Sequence, residues 1–95
     1  MAATHSITVL IPRELRVLCD GSKSLALSAS SVRDVLEELE QLHPAIHRSI
    51  CDETGRLRRH INLFVNSSLM RERQGLETVL ESGDLITILP AVSGG

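Results

Sequence analysis

Glu81-Ser82-Gly83-Asp84-Leu85-Ile86-Thr87-Ile88-Leu89 is the stretch around which the rest of the chain is arranged. Its first four residues carry turn chemistry, with a glycine free to take positive φ and short polar side chains that bond nearby backbone. The next five are apolar but for one threonine, and several are β-branched, so they read as a strand. Apolarity that runs on without alternating predicts a strand covered on both sides, and therefore a central one.

Other strands must flank it. Ile7, Val9 and Ile11 alternate with Thr8 and Leu10, and Pro12 ends that run. Cys19-Asp20-Gly21-Ser22 supplies turn residues before Leu25 and Leu27 alternate with Ser24, Ala26 and Ser28, which makes a hairpin with a long tip. Ser31 stands three residues before Asp34 in a capping-box-like start, and Val32, Val35, Leu36, Leu39 and Leu42 follow at helical spacing until Pro44. The outer face of that helix, with Glu37, Glu38, Glu40 and Gln41, reads as solvated surface. Ile46 and Ile50 suggest one or two further turns. Ile61, Leu63 and Val65 give a third strand, Asn66-Ser67-Ser68 a polar turn, and Leu69-Met70-Arg71 a brief edge strand.

A hairpin, one crossover helix and a return to the sheet define an α+β domain with the main helix packed across one face of a mixed sheet. Pairing the last strand parallel to the first makes this a β-grasp, or ubiquitin-like, roll. The expected division is a domain over 1–90 and a flexible tail over 91–95, left free at the sheet edge.

Composition narrows the function. The 95 residues suffice for one domain with a modest core, and hydrophobic residues are 42% of them. Phe64 is the only aromatic, so base-stacking surfaces are absent. A net charge of -2 and a pI near 6.0 give no general drive toward nucleic acid or anionic membrane, which points to protein partners. The N-terminus lacks a signal peptide's regions and no apolar run approaches membrane-spanning length, so a cytoplasmic protein is expected. Cys19 and Cys51 read as buried or incidental thiols.

The last residues, Leu89-Pro90-Ala91-Val92-Ser93-Gly94-Gly95, offer the sharpest chemical feature. Two glycines ahead of a terminal carboxylate leave no side chain to crowd it, so a narrow active site can admit it end first. The plainer alternative is a frayed end that happens to be glycine.

Val65-Asn66-Ser67-Ser68-Leu69, the Glu81-Ser82-Gly83-Asp84 turn and the closing Ile88 to Gly95 segment together resemble the MoaD/ThiS sulfur carriers in order and spacing. Leu-Pro-Ala-Val before the terminus, the long first hairpin and the basic segment ahead of strand three are most similar to the branch that supplies sulfur to cysteine synthase. Ser93 stands where that branch often has alanine.

The resemblance implies that the chain is not an enzyme but a protein cosubstrate. An E1-like adenylating partner, using ATP and magnesium, would convert the Gly95 carboxylate into an acyl-adenylate, and sulfur would displace AMP to leave a thiocarboxylate. A sulfur-accepting synthase, cysteine synthase-like, would then take the sulfur. Molybdopterin, thiazole or a thiolated secondary metabolite are the other acceptors. Gly94 would serve the same narrow tunnel. Leu69 and Leu89 match positions where the family meets its adenylating enzyme, Pro90 would stiffen the exit of the tail, and Val92 would anchor the arm. No bound cofactor or metal is expected, and the free carrier is expected to be monomeric. A protein modifier that forms isopeptide bonds to lysine, and a ubiquitin-like domain that uses only its apolar face, are the competing readings.

Other groupings carry less. Arg56, Arg58, Arg59 and His60 form a basic run that reads as solvated loop ahead of an anion grip. His5, His43, His47 and His60 share no ligand spacing, and no serine lies in a nucleophile elbow.

Overall fold

The computed structural model describes residues 4–90. Strand β1 (His5–Leu10) and strand β2 (Ser24–Ala29) form the antiparallel hairpin. Helix α1 (Val32–Leu42) and helix α2 (Pro44–Ile50) follow, then β3 (Ile61–Val65), the two-residue β4 (Ser68–Leu69) and β5 (Leu85–Pro90). The sheet order is β2-β1-β5-β3-β4, with β5 parallel to β1 and antiparallel to β3. The apolar run at Leu85 is therefore the central strand, as its composition predicts.

The run is not covered on both faces, however. Ile86 and Ile88 are fully buried, whereas Leu85 and Thr87 are half-buried and Leu89 is 46% exposed. All helices lie on one side of the sheet, so only the alternate residues of β5 meet the core. The other face stays open. Pro90 accordingly stands at the end of the middle strand, paired with Ile61, and the residues that follow it continue from there and not from a lateral edge.

One face of the sheet contributes Ile7, Val9, Leu27, Ala29, Ile61, Leu63, Val65, Ile86 and Ile88 to a single core with Val32, Val35, Leu36 and Leu39 of α1 and Ile46 and Ile50 of α2. At roughly 1.5 to 3 kcal/mol for each large aliphatic side chain, this burial is the main force holding helices to sheet. Leu42 does not join it. It is 57% exposed, because the helix ends one residue later at His43 and the chain turns into α2 before that position comes round to the core. Pro44 begins α2 at its first turn, where the missing N–H costs nothing.

Helix α1 starts as its sequence predicts. The Ser31 hydroxyl accepts from the Asp34 N–H at 3.2 Å, while the Asp34 carboxylate accepts from Ser30 Oγ at 2.6 Å and from Ser30 N–H at 3.1 Å. The cap contributes about 1 kcal/mol. The long tip of the first hairpin holds a 3-10 helix, Arg13–Cys19, that the sequence pattern does not announce. Past β4 the chain forms two more short 3-10 turns, Met70–Glu72 and Gly75–Glu77, so the edge strand stops at Leu69 and does not include Met70 or Arg71.

Candidate functional site

Residues paired across neighbouring strands send their side chains to the same face, which places the open face of the sheet residue by residue. Leu89 is opposite Asn62, Phe64 is opposite both Thr87 and Leu69, and Leu10 lies beside Thr87. Leu10, Phe64, Leu69, Thr87 and Leu89 thus share the surface that the helices leave uncovered. Leu69, Phe64 and Leu10 are each half-buried, and Leu89 is exposed.

Two expected contact residues, Leu69 and Leu89, are brought together in this way, on strands that flank β3. Phe64 lies between them. It was not singled out from the sequence as a contact residue, although its place opposite Ile61, Leu63 and Val65 in the alternation of β3 was the signal that could have found it. Pro90 ends β5 beside this patch. Val92, Gly94 and Gly95 lie outside the described residues, and so does the proposed boundary between domain and tail.

The edge of the patch is polar and basic. The Arg71 guanidinium donates to Asn62 Oδ1 at 3.0 Å. Arg56, Arg58 and Arg59 of the basic run, with Arg71, line a groove of about 390 Å³ that touches Asn62 and Leu69 of the open face but also the core-side residues Ile61, Leu63, Met70 and Leu76. The run thus lies beside β3, and the Arg58 guanidinium turns to the helix side, where it donates to the Arg48 carbonyl of α2 at 3.2 Å. His60 is exposed and not among the groove's lining residues. A larger cleft of about 560 Å³ lies between α1 and the loop after α2. It mixes Arg33, His47 and Arg48 with Glu37, Glu40 and Asp52, and none of the expected contact residues enters it.

Two turns fix the position of the patch. Asn66, with φ 56, closes the two-residue connection between β3 and β4, and its side chain bonds to the start of β5. Gly83, with φ 90, allows the turn whose Asp84 N–H donates to the Glu81 carbonyl at 3.0 Å, and Asp84 O then accepts from Thr8 N–H at 3.1 Å. Both stretches are among those that carry the family resemblance.

Neither cysteine offers a reactive centre. Cys19 and Cys51 are free and buried, and burial, with a smaller contribution from the Asp52 charge, pushes the Cys51 thiol up to about 11. Among the described residues no three His, Cys, Asp or Glu side chains form a group able to hold a metal ion. No described helix is long and apolar enough to cross a membrane.

The mixed five-stranded sheet with helices across one face and a small apolar patch on the other defines a ubiquitin-like β-grasp domain. The ThiS family model matches residues 9–95, and the chain belongs to the ThiS family. The sulfur carrier protein CysO of Mycobacterium tuberculosis is 38% identical over 92 residues, covering 95% of this chain and 99% of the relative. A crystal structure of a BexX/CysO complex from Amycolatopsis orientalis contains a chain that matches with TM-score 0.84 and 38% identity, over 94% of this chain and 99% of that one. The solution structure of the small archaeal modifier protein SAMP1 from Methanosarcina acetivorans matches with TM-score 0.86 and 34% identity, over 99% and 100% of the two chains. The protein is a homologue of the sulfur carriers, which are small non-catalytic proteins.

Proposed function

We propose that this protein carries sulfur as a thiocarboxylate on Gly95, for delivery to a biosynthetic acceptor in the cytoplasm. The observation that carries the reading is the match of the family model through to Gly95, on a fold that sets an exposed apolar patch beside the last strand. In this reading the Gly95 carboxylate attacks the α-phosphate of ATP on an E1-like enzyme, with magnesium there to balance the phosphate charge, and pyrophosphate leaves. A sulfur nucleophile then attacks the acyl carbon, AMP departs, and the thiocarboxylate remains.

The chain's own part is presentation. Leu69, Phe64 and Leu89 form the docking patch, Pro90 fixes the direction in which the arm departs, Val92 anchors it, and Gly94 and Gly95 pass where a β-carbon would obstruct. The same surface serves the adenylating enzyme and the acceptor in turn. Identity of 38% with CysO supports a cysteine synthase-like acceptor. In this reading the free carrier is monomeric.

The deciding experiment is the intact mass of the protein after incubation with ATP, magnesium, a sulfide source and an adenylating enzyme active on its own carrier. A gain equal to one oxygen exchanged for sulfur, absent from a variant lacking Gly95, is the expected result. No gain would sink the reading. The likeness to SAMP1 favours one second reading, that the activated glycine is joined to lysines of other proteins. Conjugates of higher mass in cells, dependent on Gly95, would mark it.

A further inference from the structure

The groove of about 390 Å³ beside β3 lies between the loop that carries the basic run and the 3-10 turns that follow β4. Leu57, Met70 and Leu76, each partly buried against the core, make its apolar lining, which reaches down to Ile61 and Leu63. Arg56, Arg59 and Arg71 of its wall are exposed, whereas the Arg58 guanidinium is engaged by the Arg48 carbonyl. No Asp or Glu lines the groove. Among the described residues the one ion pair is Arg33 with Glu77, so none of these arginines has a carboxylate at ion-pair distance. The larger cleft beside α1 differs in this respect, since it balances its cations with Glu37, Glu40, Asp52 and Glu53.

Both walls are held by bonds of their own. Arg58 N–H donates to the Ile50 carbonyl at 2.8 Å, Ile61 N–H to the Arg58 carbonyl at 3.0 Å and Asp52 N–H to the Arg56 carbonyl at 2.8 Å. The Asp52 carboxylate is used inside that loop, where it accepts from Thr54 Oγ1 at 2.6 Å and from Arg56 N–H at 3.1 Å. On the other wall Arg73 N–H donates to the Met70 carbonyl at 3.0 Å, and Thr78 Oγ1 to the Gly75 carbonyl at 2.7 Å. Arg71 is steered by its bond to Asn62. A groove ordered in this way loses less entropy when it is filled.

The lining narrows what can fill it. Cations without carboxylate partners beside apolar side chains suit an anion that also carries a hydrophobic group. No aromatic residue lines the groove, so a nucleic acid base would have nothing to stack on, and the net charge of -2 gives long polyanions no general attraction. Its volume is that of a site for a few residues of peptide. We infer that the groove binds an acidic segment of a partner protein. An aliphatic side chain of that segment packs on Leu57, Met70 and Leu76, and its carboxylates accept from Arg56, Arg59 and Arg71. Arginine favours such pairing because its planar fork meets a carboxylate through two parallel bonds. The groove shares Asn62 and Leu69 with the open face, so a partner lying on that face reaches it with every strand in place. The inference is independent of the chemistry at Gly95.

The test titrates the isotope-labelled full chain with a short synthetic peptide in which one leucine is flanked on both sides by aspartates, its ends blocked, and reads amide shifts by NMR. Companion peptides replace the aspartates by asparagine or the leucine by serine. The expected result is saturable shifts confined to residues 56–63 and 70–76, with an affinity that falls as salt is raised. Each companion peptide should bind about tenfold more weakly or worse, and so should the parent peptide to Arg59→Glu or Arg71→Glu, whose circular dichroism reports the fold. Arg13→Glu, an exposed change of equal charge on the hairpin tip, should cost less than about threefold. Absence of saturable binding, shifts centred elsewhere, equal affinity of either companion peptide, or an equal loss in Arg13→Glu would overturn the inference. So would a single-stranded oligonucleotide binding these residues more tightly than the peptide, or shifts of the same amides on diluting the protein alone, which would make a second copy the occupant. No adenylating enzyme is involved, so failure here leaves the carrier reading intact.

Discussion

The Asn66 amide bridges the last residue of the turn before β5 and the first residue of the strand: its Nδ2 donates to Asp84 Oδ1 at 3.2 Å and its Oδ1 accepts from Leu85 N–H at 3.0 Å. The Asn66 N–H also donates to the Leu85 carbonyl at 2.7 Å. One residue in the left-handed region thus ties the β3–β4 turn to the turn that launches the central strand. Asn66→Ala removes the side-chain bonds and forces an alanine to φ 56, and should cost about 2 kcal/mol. Asn66→Gly loses the same bonds but accepts the conformation, and should cost about half as much. Urea unfolding midpoints of the two variants check the order, and equal losses would show that conformation contributes nothing.

Leu39 and Leu42 test how the helix ends. Leu39 is fully buried and Leu42 is 57% exposed, although they lie three residues apart on what the sequence presents as one apolar stripe. Leu39→Ala should destabilise by about 2 to 5 kcal/mol, and Leu42→Ala by less than about 0.5 kcal/mol. Comparable losses in thermal unfolding would place Leu42 in the core.

Which parts of this were legible in the sequence follows from what each signal depends on. The strands at Ile7, Leu25, Ile61 and Leu85 and the helix at Val32 are set by periodicity and by local caps, and these act within a few residues. The second face of β5 was misread because a run of apolar residues looks the same whether its far side is covered by another layer or left open. Only the placement of both helices on one side decides that. The 3-10 helix of Arg13–Cys19 has no apolar period of its own, with Val17 80% exposed, so nothing local marks it. Leu69 and Leu89 were found through family likeness. Phe64 becomes part of the same patch only once the pairing with both Leu69 and Thr87 is known.

If the open face is the docking surface, its apolar members can be charged without loss of fold. Leu89→Glu and Leu69→Glu should change stability little, and each should lower the rate of thiocarboxylate formation with an adenylating enzyme by about tenfold or more. Ile88→Glu, one residue along the same strand, should fail to fold, since Ile88 is fully buried. Full activity of Leu89→Glu would remove this face from the interaction.

The Asp34 carboxyl is held below the usual carboxylate range, chiefly by the bond from Ser30 Oγ and then by the Ser30 N–H. A depressed carboxylate adds stability that is present above its unfolded value, about 3.9, and is lost as pH falls through the folded value. The stability difference between the unaltered protein and Asp34→Asn should therefore be constant near neutral pH and shrink below about pH 4. Urea unfolding from pH 7 to pH 3 reads it. A difference that stays constant down to pH 3 would show that the Ser30 bonds do not favour the charged form.

Cys51 shifts the other way, and the sign of its effect is opposite. Burial among apolar side chains raises the thiol to about 11, and the neighbouring Asp52 charge adds to the rise. Its contribution to stability is therefore fully present below the unfolded value, about 8.5, and is lost as pH climbs from there through the folded value. Unaltered protein should lose stability more steeply than Cys51→Ala above about pH 9. The same shift keeps the thiolate scarce, and the side chain is 1% exposed, so the folded protein should react with iodoacetamide at Cys51 about a hundredfold more slowly than the unfolded chain. Site-resolved alkylation by mass spectrometry, with and without urea, makes the comparison. Equal rates would mean that the loop closed by the Cys51 and Leu57 bridge opens readily, and the buried position would then give the thiol no protection.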